Sequence, residues 1–100
     1  MSDYRLISEP AADFDVEAAF DWYENERDGL GLEFLDELRA AYNGIVDGPL
    51  KYQLLRSGIC RALLRRFPYA VYFVVENDRI VVLAVLRASR DPAEWQRRIG

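Results

Sequence analysis

Five arginines, Arg61, Arg65, Arg66, Arg87 and Arg90, are the side chains through which this chain can do chemistry. Arginine presents a planar fork of donors that grips phosphate or carboxylate through two bonds at once and also stacks on flat rings. Three of the five interleave with aromatic and aliphatic residues in Arg61-Ala-Leu-Leu-Arg65-Arg66-Phe67-Pro68-Tyr69-Ala-Val-Tyr72-Phe73. They suit a site for phosphodiester groups or a carboxylate-rich partner, or else a charged sheet edge that resists aggregation. The chain has no histidine, so no imidazole is available as a general base near neutral pH or as a zinc or iron ligand. Histidine-containing triads and facial metal sites are therefore excluded. Acid–base chemistry would fall to arginine, lysine, tyrosine or carboxylates.

Other residue types point to less chemistry. Asp13, Glu17, Asp21 and Glu24 recur at helical spacing, but one helix alone is too flat an array to enclose a cation. They read as a solvated helix face, as do Asp36 and Glu37, and neither a metal nor a cofactor is expected. Tyr52, Tyr69, Tyr72 and Phe73 can stack on bases as sheet aromatics do in single-strand binders, or fill a core. Trp22 falls off its helix's apolar stripe and is a candidate partner contact, whereas Trp95 reads as the anchor of a last helix. Cys60, the single cysteine, lacks the helix terminus and clustered cations of a reactive thiolate and reads as a small strand residue.

The elements that must position these residues follow from periodicity. Tyr4–Ser8 reads as a first strand, with Ser8 as a helix cap and Pro10 in the first turn, where a missing N–H is harmless. A helix is expected over residues 11–27, with Val16, Ala19, Phe20 and Tyr23 as its buried stripe. Gly29 stops it by taking the left-handed conformation. A second helix is expected over 32–46, with Phe34, Leu35, Leu38, Ala41, Tyr42 and Ile45 on one face, packed on the first as an antiparallel hairpin. A loop over 51–58 holds a short strand around Tyr52–Leu55. Strands are then expected at 59–67, 69–76 and 79–88, the last apolar without alternation and so covered on both faces. Asp91-Pro92-Ala93-Glu94 starts a short C-terminal helix. The sum is an α+β fold, β-α-α-β-β-β plus a short helix, with a helical hairpin on a small antiparallel sheet. In such a meander Arg65, Arg66, Arg87 and Arg90 would converge on one rim.

Composition and charge bound the rest. One hundred residues, 51% apolar and 30% charged, suit one globular domain over residues 1–100 with a core of its own. No apolar run spans a bilayer, the N-terminus lacks a secretory signal, and a lone cysteine fits a reducing cytoplasm. Charge is sorted by half: three arginines against thirteen carboxylates in residues 1–50, ten Lys/Arg against four carboxylates in 51–100.

Element order and four sequence words together resemble the RelE/ParE toxin superfamily, on its ParE-like, plasmid-stabilisation side. The words are Ala19-Phe20-Asp-Trp22-Tyr23-Glu24, Gly29-Leu-Gly31-Leu-Glu-Phe34-Leu35, Arg61-Ala-Leu-Leu-Arg65-Arg66-Phe67-Pro68-Tyr69-Ala-Val-Tyr72, and Val85-Leu-Arg87-Ala-Ser-Arg90-Asp91-Pro92-Ala-Glu-Trp95. The resemblance covers Tyr4 to Arg98. It implies a type II toxin neutralised by an antitoxin whose C-terminal segment, acidic and apolar, wraps the toxin through Arg61, Arg65, Arg66, Tyr69, Arg87, Arg90 and Trp22. Operator DNA would be bound only through the antitoxin, and no membrane is involved. ParE-type members inhibit DNA gyrase by binding; RelE-type members are metal-independent endoribonucleases that cleave messenger RNA on the ribosome. For a ribonuclease the candidate catalytic residues are Arg61, Arg65, Arg87 and Arg90. Many close relatives carry histidine where this chain has Arg87, and a permanently protonated arginine is a poor proton shuttle. The resemblance also includes degenerate members that keep the antitoxin-binding fold without toxicity.

Overall fold

Strand β1 (Arg5–Ser8) leads directly into α1 (Pro10–Glu26), and α2 (Leu30–Asp47) follows after a short link, in a computed structural model that describes residues 3–89 and 91–99. Pro10 stands in the first turn of α1 as expected. Ser8 does not cap the helix. It is still in strand register with Val82 of the last strand, so the cap position falls to Glu9, and Ser8 Oγ donates instead to Asp13 Oδ1 at 2.7 Å.

Helix α1 ends earlier than the expected glycine stop, at Glu26 with extended Arg27 as its C-cap, and Gly29, in the left-handed region at φ 87°, stands instead as the N-cap of α2. The carboxylate of Glu24 accepts the backbone N–H groups of Gly29 and Gly31, both at 2.9 Å. That clamp extends α2 back to Leu30, ahead of the expected start. A Cβ on Gly31 would lie 2.7 Å from the Phe20 ring, so the glycine is what lets the two helices close. Most of the expected stripes face inward: Ala19, Tyr23, Phe34, Leu38 and Ile45 are buried, and Val16, Leu35, Ala41 and Tyr42 pack against them, while Phe20 is only half-buried, its ring lying against Gly31 outside the core.

After α2, two single 3-10 turns (Pro49–Lys51 and Arg56–Gly58) flank the short strand β2 (Gln53–Leu54). Strands β3 (Cys60–Leu63), β4 (Tyr69–Glu76) and β5 (Arg79–Arg87) follow, and α3 (Pro92–Ile99) carries Trp95. The sheet order is β1-β5-β4-β3-β2. The later strands pair antiparallel, but β1 lies parallel to β5, so the sheet is mixed. The helical hairpin returns the chain to the far edge, and the meander then brings β5 back alongside β1 in the same direction.

Strand β3 stops at Leu63, well short of the expected Phe67. Residues 64–68 turn instead: Leu64 N–H still donates to Tyr69 O, but the next two amides go to a side chain of α2. Strand β5 is apolar because it is covered twice, by the helical hairpin on one face and by α3 on the other. On the hairpin face Tyr23, Phe34, Phe67 and Tyr69 form a ring cluster with centroids 4.8–5.9 Å apart. On the other face the Trp95 indole stacks on Tyr72 at 5.8 Å and leaves that tyrosine 1% exposed. A bulge interrupts the β4–β5 ladder: Tyr72 faces Ala84 and Phe73 faces Val82, which leaves Leu83 as the extra residue.

Candidate functional site

The residues of the β3–β4 turn build the site. Glu37 of α2 points one carboxylate oxygen at the backbone N–H groups of Arg65 (2.6 Å) and Arg66 (2.8 Å). This fixes the turn against the helix and throws both arginine side chains outward. Arg66 then bridges to Glu33 at 2.7 Å and lies 5.4 Å over the Phe67 ring. Hydrogen bonds from Arg66 and then Arg27 hold the Glu33 carboxyl below the usual glutamate range. Arg65 is different: its guanidinium has no ion pair among the described residues.

Beside that turn, α2 and β3 stand apart and leave a groove of about 630 Å³. Ala40, Ala41 and Ala62 form an apolar floor, Tyr52 and Leu63 the walls, and Lys51, Arg65 and Arg66 the rim. Gly44 makes the wall possible, because a Cβ there would lie 2.8 Å from the Tyr52 hydroxyl. The outer edge of β3 is open here. Strand β2 covers only Arg61 and Cys60, and Leu63, 59% exposed, lies past its end. Alanines, an open strand edge and cations at the rim suit an extended or helical segment with apolar anchors and carboxylates.

The expected arginine rim is only partly assembled. Arg65 and Arg66 stand at the turn, and Arg87, exposed, lies across from Tyr69 at the same end of the sheet. Arg87 and Tyr69 point to the hairpin side. There Arg87 hydrogen-bonds the Tyr23 phenol, which burial pushes up, Tyr69 raises further and Arg87 partly brings back. Arg61 stands on the opposite face, paired in register with Tyr72, and its Nε and Nη2 both donate to Gln53 Oε1 at 3.2 and 2.8 Å. It lines a second cleft with Arg56 and Trp95, roofed by α3. Arg61 and Arg87 thus lie on two sides of one sheet. Arg90 lies outside the described residues. Trp22 is 57% exposed, as its place off the stripe suggested, and borders a shallow groove with Arg87 and Tyr69.

Lys51 and Leu63 are groove residues that the sequence reading passed over, and Glu37, read there as part of a solvated helix face, instead holds the β3–β4 turn. Leu63 carried a signal, an apolar residue at the outward parity of a strand. Glu37 carried none, since its partners lie 28 and 29 residues away. Among the described residues no group of three His, Cys, Asp or Glu side chains is placed to hold a metal ion. No helix is long and apolar enough to cross a membrane.

A helical hairpin on a small mixed sheet, with a cation-rimmed groove between them, defines a small α+β domain equipped to bind another chain. Comparison with known proteins makes the assignment specific. The model of the ParE toxin of type II toxin–antitoxin system, parDE, matches residues 6–92, and the chain belongs to that family. Among solved structures it is similar to a chain of the chromosomal ParDE toxin–antitoxin system from P. aeruginosa. That match has a TM-score of 0.76 at 19% identity, covering 86% of this chain and 97% of the other, and is a likeness of fold. No curated protein matched the chain.

Proposed function

We propose that residues 1–100 act as a single toxin domain in the cytoplasm, silenced by an antitoxin segment seated in the α2/β3 groove, and that the freed toxin inhibits DNA gyrase by binding it. The groove carries this reading. Its rim holds Arg65 and Lys51 without ion pairs among the described residues, and its floor is apolar, so an acidic and apolar tail finds both kinds of contact. Operator DNA is then engaged only through the antitoxin's other end, and the pair serves to stabilise a plasmid.

Binding is favoured over messenger cleavage by the placement of the candidates. Arg61 and Arg87 face away from each other across the sheet, and Tyr72 is sealed beneath Trp95. Arginine also remains protonated and does not shuttle protons at neutral pH. Purified protein should arrest supercoiling by purified gyrase, and an antitoxin C-terminal peptide should restore it. Intact supercoiling together with ribosome-dependent messenger cleavage would overturn the reading. Arg65→Glu should weaken peptide binding roughly tenfold or more, with an association rate that falls as salt rises.

A further inference from the structure

The outer face of α1 is left without a partner, and its chemistry is the complement of the groove. Phe14 and Trp22 stand two turns apart on that face, 70% and 57% exposed, with exposed Ala18 between them. Glu17 and Asp21 flank them, exposed and without ion pairs among the described residues. Two large aromatics held open on one helix are more apolar surface than solubility favours, since aromatics of this size bury about 150–250 Å² each when covered.

We propose that the protein associates with itself head to tail, the α1 face of one copy seated in the α2/β3 groove of the next. Trp22 and Phe14 would lie on the alanine floor beside Leu63, and Glu17 and Asp21 would meet Lys51 and Arg65. The two surfaces lie on different elements of the fold, so docking one leaves both outer ends open. A contact of this heterologous kind builds assemblies larger than a pair, rings where the rotation closes and open chains where it does not. The sorted charge favours this order, because like halves repel while an acidic half meets a basic one. The inference shares the groove with the proposed antitoxin site but does not depend on it, since the second copy supplies its own ligand.

Sedimentation of the purified protein over a range of concentrations tests it. At low salt the mean mass should rise with concentration without stopping at two copies, and high salt should weaken association about tenfold or more. Trp22→Glu and the double variant Lys51→Glu/Arg65→Glu, all at exposed positions, should each be monomeric with unchanged circular dichroism and melting. Mixed in equal amounts they should form a one-to-one dimer and nothing larger, because each keeps the surface the other has lost. A wild-type monomer at every concentration in low salt would overturn the proposal. So would a closed dimer, or a mixture of the two variants that stays monomeric. Phe14→Glu, on the same α1 face but outside the expected antitoxin contacts, should likewise abolish self-association and still bind the antitoxin peptide. Loss of peptide binding by the Lys51→Glu/Arg65→Glu variant tests the antitoxin site, while the mixing experiment tests self-association alone.

Discussion

Glu37 shows how much one exposed carboxylate can organise. It satisfies two consecutive backbone amides at 2.6 and 2.8 Å and so decides where β3 ends and which way Arg65 and Arg66 point. Glu37→Ala should cost about 1–2 kcal/mol, the range of a lost helix-cap side chain, read from urea unfolding. Arg65-dependent partner binding should fall with it, because the turn loses its fixed direction. Glu33 makes a pH prediction. Its folded carboxyl is held below the ordinary value of 4.5, chiefly by the hydrogen bond from Arg66. Its contribution is therefore present above that value and is lost as pH falls through the folded one. Unfolding midpoints measured between about pH 6 and pH 3 should decline less steeply for Glu33→Gln than for the parent. Neither role was legible in the sequence. Both carboxylates sit in a helix whose spacing says only that they face outward, and, Arg27 beside Glu33 apart, their partners belong to a turn about thirty residues on.

At the scale of elements, legibility followed the physics of the pattern. The two helices could be read directly, because apolar spacing is a local property, and Gly29 takes its expected left-handed conformation, though as the cap of α2 and not as the stop of α1. The end of β3 could not. Leu64 and Phe67 are apolar and buried, so the strand pattern runs on through residues that have already turned. The bulge at Leu83 was hidden as well, since an unbroken apolar run carries no parity to lose. Two predictions belong here. Gly31→Ala places a methyl 2.7 Å from the Phe20 ring and 2.9 Å from Glu24 Oε1. It should destabilise the hairpin by about 1–3 kcal/mol in urea titration, the usual cost of overpacking. Asp15 accepts Val85 N–H at 3.0 Å on one oxygen and Arg98 at 2.8 Å on the other, joining α1, the uncovered half of the β5 edge, and α3. Asp15→Ala should speed amide exchange at Val85 and through α3 while residues of α2 keep their protection.

For the molecule as a whole, the charge asymmetry turns out to be only partly spent inside the fold. Arg66 finds Glu33 and Arg98 finds Asp15, yet most of the acidic helix faces and the cations at the groove rim remain turned to solvent. Because four of the five ion pairs among the described residues are well exposed, melting should shift little with salt while association shifts strongly, and a parallel measurement of both separates the two effects. The parallel pairing of β1 with β5 has a consequence in time. Arg5 meets Arg79 and Ser8 meets Val82, so β1 finds its neighbour only after about seventy further residues have been made. At synthesis rates of about 5–20 residues per second, the nascent chain spends several seconds with an orphaned edge strand and a helical hairpin that has no sheet to cover. A fold that depends on this pairing is therefore completed only after residues 79–82 have been made.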